Sequence, residues 1–122
     1  MTQMPKYFPN MKLDGGKIYR NIKEAIGDAG WLLMTIKKLE EQGSHETKER
    51  LKVLVNEWFR QGEGRDLITS RHTLDTALAK LEGAGLIYTK EHGRARLYFT
   101  TEQGREYIEY MTALAELMES DT

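Results

Sequence analysis

The spacing of apolar residues changes once along this chain, near residues 83–86, and that change constrains the fold more than any other feature. Just before it, four apolar residues stand at helical offsets of 0, 3, 4 and 7: Leu74, Ala77, Leu78 and Leu81. Just after it, residues 86–91 (LIYTKE) and 94–100 (RARLYFT) are rich in β-branched and aromatic side chains. The pattern predicts a helix with one buried face, followed directly by a β-hairpin that turns at His92 and Gly93.

The residues at the ends of this helix are typical of helix caps. Thr69 or Ser70 can accept a hydrogen bond from a free backbone N–H group at its start, and Gly83 and Gly85 can adopt the left-handed conformation that ends a helix. In the hairpin, alternation along the second strand divides its side chains between two faces, with Arg94, Arg96 and Tyr98 on one and Ala95, Leu97 and Phe99 on the other.

The first half of the chain predicts further helices behind an extended arm. Residues 1–16 contain two prolines and a Gly-Gly pair, so they predict the arm, and residues 17–122 predict one domain. Helical spacing predicts three helices in order: residues 17–26, a helix capped by Asp28 that runs to about Gln42, and a helix capped by Ser44 that runs to Gln61.

A last helix is predicted over residues 101–118, and it has a broad apolar stripe. The stripe consists of Tyr107, Tyr110, Met111, Leu114 and Met118. Because closed twofold dimers are the commonest oligomers, we expect this helix to pair with its copy in a homodimer. The alternative is that the stripe packs on the helix's own domain.

The charge of the chain is balanced overall but uneven along its length. Eighteen Lys and Arg residues oppose nineteen Asp and Glu residues, while residues 97–122 hold one basic and six acidic side chains. This balance excludes a uniformly basic coat for nucleic acid, and the acidic end would repel an anionic partner. The longest apolar run is about eight residues and the N-terminus lacks the order of a signal peptide, so we expect a soluble, cytoplasmic protein without a membrane partner.

The residue types that carry catalysis or bind metals do not form a recognisable pattern. The chain has no cysteine, and its histidines, His45, His72 and His92, do not stand at the spacing of a metal site. It has no glycine loop for phosphate, and the adjacent Glu40 and Glu41 would point apart on a helix. We therefore expect no enzymatic activity, no metal and no cofactor.

The segment from Thr69 to Ile108 resembles the winged helix-turn-helix superfamily, in particular its PadR and MarR types. Those families follow a capped helix with a leucine–glutamate–X–X–glycine–leucine/isoleucine stretch, which residues 81–87 (LEGAGLI) match. They close the hairpin with an aromatic residue, a threonine and then glycine–arginine, which residues 99–105 (FTTEQGR) match with one extra threonine. The likeness covers residues 50–110 and implies a mostly α fold (α+β) with a β-hairpin wing, extra N-terminal helices and a C-terminal dimerisation helix.

In these families the capped helix enters the major groove of DNA and the wing contacts the backbone. The resemblance therefore implies a recognition helix at about residues 70–82 and a wing at about residues 86–100. The apolar stripe leaves six polar residues of that helix outward, which can reach bases or phosphates: Ser70, Arg71, His72, Thr73, Thr76 and Lys80. The wing adds three cations that can contact phosphates or the minor groove: Lys90, Arg94 and Arg96. The alternative for the wing is that its cations only protect a strand edge.

Asp75 does not fit a helix that faces DNA, because an outward carboxylate repels phosphate. It can accept a hydrogen bond from a cytosine amino group, pair with Arg71 four residues earlier, or point away from DNA.

The leading hypothesis is a dimeric transcriptional regulator that binds double-stranded DNA sequence-specifically. A second hypothesis keeps the DNA but assigns the protein to plasmid or phage partition or to replication control. A third is a winged helix that binds another protein instead of DNA, which the near-neutral charge and Asp75 favour. The sequence indicates neither the target site nor a small-molecule effector.

Overall fold

The structure of the protein is a computed structural model that describes residues 16–120. Within those residues the chain forms five α-helices and one β-hairpin, and the 3₁₀ turn Gly27–Ala29 joins the first two helices. The elements are α1, residues 16–26; α2, Gly30–Glu41; α3, Lys48–Glu63; α4, Arg71–Gly83; β1, Ile87–His92; β2, Ala95–Thr100; and α5, Glu102–Ser120. Apart from Gly16, the predicted N-terminal arm lies outside the described residues.

The helix and hairpin stand where the change in apolar spacing predicts them. All four stripe residues of α4 are buried. The strands pair antiparallel, with a register that runs from Ile87 opposite Thr100 to His92 opposite Ala95. Gly93 begins the two-residue turn with a φ of 63°, which glycine adopts without a steric penalty. The predicted mostly helical fold with a hairpin wing is confirmed.

The hydrophobic core lies between α2, α3, α4 and the base of the hairpin. Leu32, Val55, Leu81 and Leu86 come from four different segments, and each has 0% of its surface exposed. Full burial of an aliphatic side chain of this size contributes about 1.5–3 kcal/mol. Because α2 packs against both α3 and α4, this core fixes the orientation of α4 in the molecule.

The prediction that Asp28 caps the second helix is wrong. The residue before α2 is Ala29, which has helical dihedral angles and no side-chain hydrogen bond to the helix. The 3₁₀ turn leads directly from α1 into α2, so backbone carbonyls already stand before the first N–H groups of α2. A capping side chain is needed only where the preceding chain is not helical.

The prediction that Ser44 caps the third helix is also wrong. The N-cap of α3 is Thr47, whose hydroxyl accepts a hydrogen bond from the N–H of Arg50 at 3.4 Å. Residues 44–47 instead run beside β2, where the carbonyl of Glu46 accepts a hydrogen bond from the N–H of Tyr98 at 3.3 Å. This contact ties Glu46 to the hairpin, Thr47 has an extended backbone, and the helix begins at Lys48.

The last helix packs on its own domain through its first half and leaves its second half exposed. Tyr107 and Ile108 are buried, whereas Leu117 and Met118 are more than half exposed. Tyr19 of α1 packs on the rings of Tyr107 and Tyr110, with centroids 5.9 and 4.8 Å away. None of the helices in residues 16–120 is long and apolar enough to cross a membrane.

The connection between α3 and α4 is fixed by one buried side chain, Asn56. Its amide donates a hydrogen bond to the carbonyl of Ile68 at 2.9 Å. Its carbonyl oxygen accepts from the N–H groups of Leu67 and Ile68 at 3.0 and 2.9 Å. Three backbone groups of the connection thus depend on Asn56, which sets where α4 begins relative to α3.

We expect Asn56→Ala to lower the free energy of unfolding by about 2–4 kcal/mol, because it leaves these buried backbone groups without partners. Urea titration followed by circular dichroism measures the change. The matched control is Glu57→Ala, an exposed neighbour on α3, which should shift the midpoint little. Equal urea midpoints for the two variants would show that water or a rearranged backbone takes over the hydrogen bonds that Asn56 makes.

Candidate nucleic-acid interface

The six predicted contact residues of α4 are all exposed, and two of them also form the start of the helix. Ser70 is the N-cap, and its hydroxyl oxygen accepts a hydrogen bond from the N–H of Thr73 at 3.1 Å. The hydroxyls of Ser70 and Thr73 lie 2.9 Å apart. Of the two predicted caps, Ser70 is therefore the one used. These two hydroxyls stabilise the first turn, on which Arg71 and His72 stand exposed.

The exposed residues of α4 divide between two flanks of the helix. One flank carries Arg71, whose Nη2 lies 4.0 Å from Oε2 of Glu49 in the first turn of α3. The other flank borders a depression of about 330 Å³ beside the 3₁₀ turn and the connection before α4. The residues of α4 that line this depression include His72, Thr73, Thr76 and Lys80. The predicted contact set therefore spans both flanks.

A second depression, of about 520 Å³, lies between the start of α3 and strand β2. Its lining includes Thr47, Lys48 and Glu49 from α3 and Arg94 and Arg96 from the wing. The start of a helix attracts anions, because its first N–H groups point outward without backbone partners. Sequence reasoning missed Lys48, since the cap assigned to Ser44 placed the start of the helix three residues too early.

The structure pairs Asp75 with Lys48. Oδ1 of Asp75 accepts a hydrogen bond from Nζ of Lys48 at 2.9 Å. The sequence left three possibilities for Asp75. The predicted ion pair with Arg71 is not formed, because Asp75 pairs with Lys48. Asp75 therefore lies on the α3 flank of α4, beside the start of α3.

The three wing cations do not lie together. Arg96 pairs with Glu91 of the neighbouring strand, with Nε 3.0 Å from Oε1, and this hydrogen-bonded carboxylate raises the pKa of Arg96 above its usual value. Lys90 lies over the ring of Phe99 at 5.5 Å, on the opposite face of the hairpin. Arg94 stands exposed in the turn. Arg94 and Arg96 share the depression beside α3, whereas Lys90 does not line it.

Charges of both signs surround Tyr98, which is buried under this part of the surface. Burial is the main cause that raises the pKa of its hydroxyl, and Glu82 adds to it. Lys48 and Arg96 lower the same pKa, and Asp75 raises it. The surface shared by α3, α4 and the wing thus alternates cations with carboxylates.

The base of the wing is anchored to the helices through Thr100. The carboxylate of Glu40, at the end of α2, accepts hydrogen bonds from the N–H of Thr100 at 2.9 Å and from its hydroxyl. Arg105 of α5 donates to the carbonyl of Thr100 at 3.0 Å. The adjacent Glu41 does not bind Thr100; its Oε2 lies 3.5 Å from Nζ of Lys37. Glu40 and Glu41 therefore have different partners. The anchored wing holds Arg94 and Arg96 beside α3.

The predicted dimerisation residues lie in different environments. Tyr107 is buried in its own domain, whereas Tyr110, Met111 and Leu114 are half-buried and Met118 is exposed. An apolar groove of about 640 Å³ runs along α5, and Trp31, Met34 and Trp58 line its other side. Trp31 and Met34 are half-buried and face this groove.

Groups that could hold a metal ion are not brought together in the described part of the chain. Residues 16–120 contain no cluster of three His, Asp or Glu side chains with that geometry. His45 stacks on Phe99, with ring centroids 4.0 Å apart, while His72 and His92 are exposed.

Comparison with known proteins identifies the fold and the family. No family model matches the chain. Among solved structures, the multidrug-efflux regulator MepR of Staphylococcus aureus matches with a TM-score of 0.56 at 16% identity, over 95% of this chain and 79% of that one. A homodimeric winged helix-turn-helix DNA-binding domain of Mycobacterium bovis, described as a possible ArsR-family regulator, matches with a TM-score of 0.55 at 17% identity over 89% of each chain. These similarities confirm the predicted winged helix-turn-helix fold.

A closer relative is found by sequence. The DNA-binding protein TubR of Bacillus cereus is 32% identical over 111 residues, which cover 84% of this chain and 90% of that protein. The match extends well beyond the helix and wing that first suggested the superfamily. The chain is a winged helix-turn-helix protein and belongs to the family of the DNA-binding protein TubR.

Proposed function

We propose that this protein binds double-stranded DNA sequence-specifically as a homodimer, with α4 in the major groove and the wing on the backbone. The observation that carries the proposal is the meeting of three elements at one surface: the exposed start of α4, the start of α3, and the turn of the wing. The relation to a DNA-binding protein supports it.

The start of α4 fits base recognition. An α-helix with side chains is about 10–12 Å across and the major groove is about 12 Å wide, so the helix can enter it. Arg71 has 77% of its side chain exposed and can donate to both O6 and N7 of a guanine. His72 and Thr76 lie further along the exposed side, where they can reach neighbouring base edges.

The elements beside α4 fit backbone contacts. Lys48 and the first N–H groups of α3 suit one phosphate, and Arg94 and Arg96 suit others. Phosphate contacts set the register of a protein on the duplex and carry no sequence information themselves. We therefore assign base recognition to α4 and affinity to α3 and the wing.

We assign dimerisation to α5 and its groove. The exposed Leu117 and Met118 at the end of α5 are large apolar side chains that their own domain does not cover. The groove lined by Trp31, Met34 and Met111 offers an apolar surface on which a second copy's α5 can pack. A twofold dimer would present two recognition helices to half-sites about one helical turn of DNA apart.

Two roles proposed from the sequence use this same surface. A transcriptional regulator occupies an operator, whereas a partition or replication protein occupies many tandem sites. Footprinting on the DNA that flanks the protein's own gene distinguishes them by the number of protected repeats.

We expect Arg71→Ala to weaken binding to the selected site by about 1–3 kcal/mol and to weaken binding to random duplex much less, because Arg71 is assigned to a base. Fluorescence anisotropy with the two duplexes measures both constants. The control is Arg20→Ala, an exposed arginine of α1 outside the proposed surface. Equal losses on both duplexes would remove Arg71 from base recognition.

We expect Arg94→Ala to weaken binding to every sequence alike and to reduce the slope of log K against log salt by about one, because it removes one phosphate contact. The wild-type protein should show a slope of several units in the same anisotropy titration. An unchanged slope would exclude Arg94 from the contact set. If the wild type binds no duplex at about 50 mM salt, the hypothesis of a protein-binding winged helix replaces the DNA-binding one.

We expect Met118→Glu to raise the dimer dissociation constant about tenfold or more, since it replaces an apolar contact of about 1.5–3 kcal/mol with a charge. Analytical ultracentrifugation over a concentration series measures it. Glu109→Lys changes the charge on the exposed face of α5 opposite Met118 and is the control. A dimer that tolerates Met118→Glu would place the interface elsewhere.

A further inference from the structure

We propose that Glu49 increases sequence specificity by pairing with Arg71 of the recognition helix until a correct base displaces it. Asp75 and Glu91, which pair with the phosphate-binding Lys48 and Arg96, lower affinity for every sequence alike. The inference rests on the proposed function.

Each carboxylate holds one cation of the surface. Asp75 lies 2.9 Å from Lys48 and Glu91 lies 3.0 Å from Arg96. Glu49 lies 4.0 Å from Arg71, at the edge of ion-pair distance. The pairs join α3 to α4 twice and cross the hairpin once, so they cover the surface from the recognition helix to the wing. Three cations of the surface are therefore paired with carboxylates in the free protein, while Arg94 stands exposed in the turn.

Two of the three pairs contribute little to holding the fold. Both partners of the Arg71–Glu49 and Arg96–Glu91 pairs are at least 60% exposed, whereas Lys48 and Asp75 are 31% and 49% exposed. Exposed ion pairs add little to stability, because water screens them and both side chains lose freedom. The fold is held instead by the buried core and by Asn56 and Glu40. The two exposed pairs, including Arg71–Glu49, can therefore open without disturbing the helices.

The exchange of partners differs between correct and incorrect DNA. On an incorrect sequence, Arg71 finds only a phosphate, and Glu49 competes for it while repelling that phosphate. On the correct sequence, Arg71 can form two hydrogen bonds with a guanine, which compensate for the loss of Glu49. Glu49 thus penalises incorrect sites more than correct ones, whereas Asp75 and Glu91 compete with the phosphates of any sequence alike.

The direct test compares Glu49→Gln, Asp75→Asn and Glu91→Gln with the wild type on the selected duplex and on a random duplex. Each substitution preserves shape and removes one negative charge. We expect affinity for random duplex to rise up to about fivefold per variant, the range of an exposed ion pair. Affinity for the selected site should rise less with Glu49→Gln, and by the same factor as on random duplex with Asp75→Asn and Glu91→Gln. The salt slope on random duplex should steepen by about 0.9 for each cation released.

Two controls separate this effect from a general change of charge. Glu41→Gln also removes a carboxylate from an exposed ion pair, with Lys37 on α2, and should alter neither the ratio of affinities nor the slope. In an Arg71→Ala background, Glu49→Gln should lose most of its effect, because its partner is gone.

The inference is overturned if Glu49→Gln raises both affinities equally, if Glu41→Gln acts as the other variants do, or if the Glu49→Gln effect persists without Arg71. A wild-type protein that binds neither duplex overturns the proposed function itself. A wild type that binds, with a Glu49→Gln variant that leaves the ratio unchanged, overturns only the role of Glu49.

Discussion

Three elements of this protein meet at Leu86, and the geometry of the candidate interface depends on that junction. The N–H of Leu86 donates to the carbonyl of Leu81 at the end of α4, and its own carbonyl accepts from the N–H of Thr101 just before α5, each at 3.0 Å. The side chain is completely buried. Gly104 packs so closely on this carbonyl that a Cβ atom there would overlap it. The wing must therefore begin at a fixed place and angle relative to α4.

This fixed geometry explains how a nearly neutral chain can present a surface for DNA. Cations from three segments lie beside one another. Their placement depends on the short connection at Leu86, on the hydrogen bonds between Glu40 and Thr100, and on the hydrogen bonds of Asn56 to the α3–α4 connection. None of these segments is strongly basic by itself. Because a phosphate interacts mainly with charges within about a Debye length, ~8–10 Å, their local arrangement matters more than the net charge of −1.

The parts of the fold that the sequence predicted are those set by local patterns. The spacing of Leu74, Ala77, Leu78 and Leu81 defines α4, and alternation around Gly93 defines the hairpin, because each pattern lies within about ten consecutive residues. The errors at Asp28 and Ser44 arose where neighbouring segments changed the local preference: a continuous helical backbone in one case and pairing with β2 in the other.

The same distinction applies to the candidate site. The exposed cations of α4 and the wing follow from periodicity, since the apolar stripe fixes which side chains point outward. The partners of Asp75 and of Asn56 do not, because those contacts join residues 27 and 12 positions apart. Sequence charge alone therefore made Asp75 an argument against DNA binding, whereas its pairing with Lys48 makes it part of the surface.

The acidic C-terminal segment gains a physical role from the fold. Five of its carboxylates, Glu102, Glu106, Glu109, Glu116 and Glu119, lie on α5, which packs on α1, α2 and β2. A molecule with clustered cations on one side and most of its excess negative charge on another has a directional field. In the complex we propose, that field favours approach to DNA through α4 and the wing, and the apolar end of α5 stays free to meet a second copy.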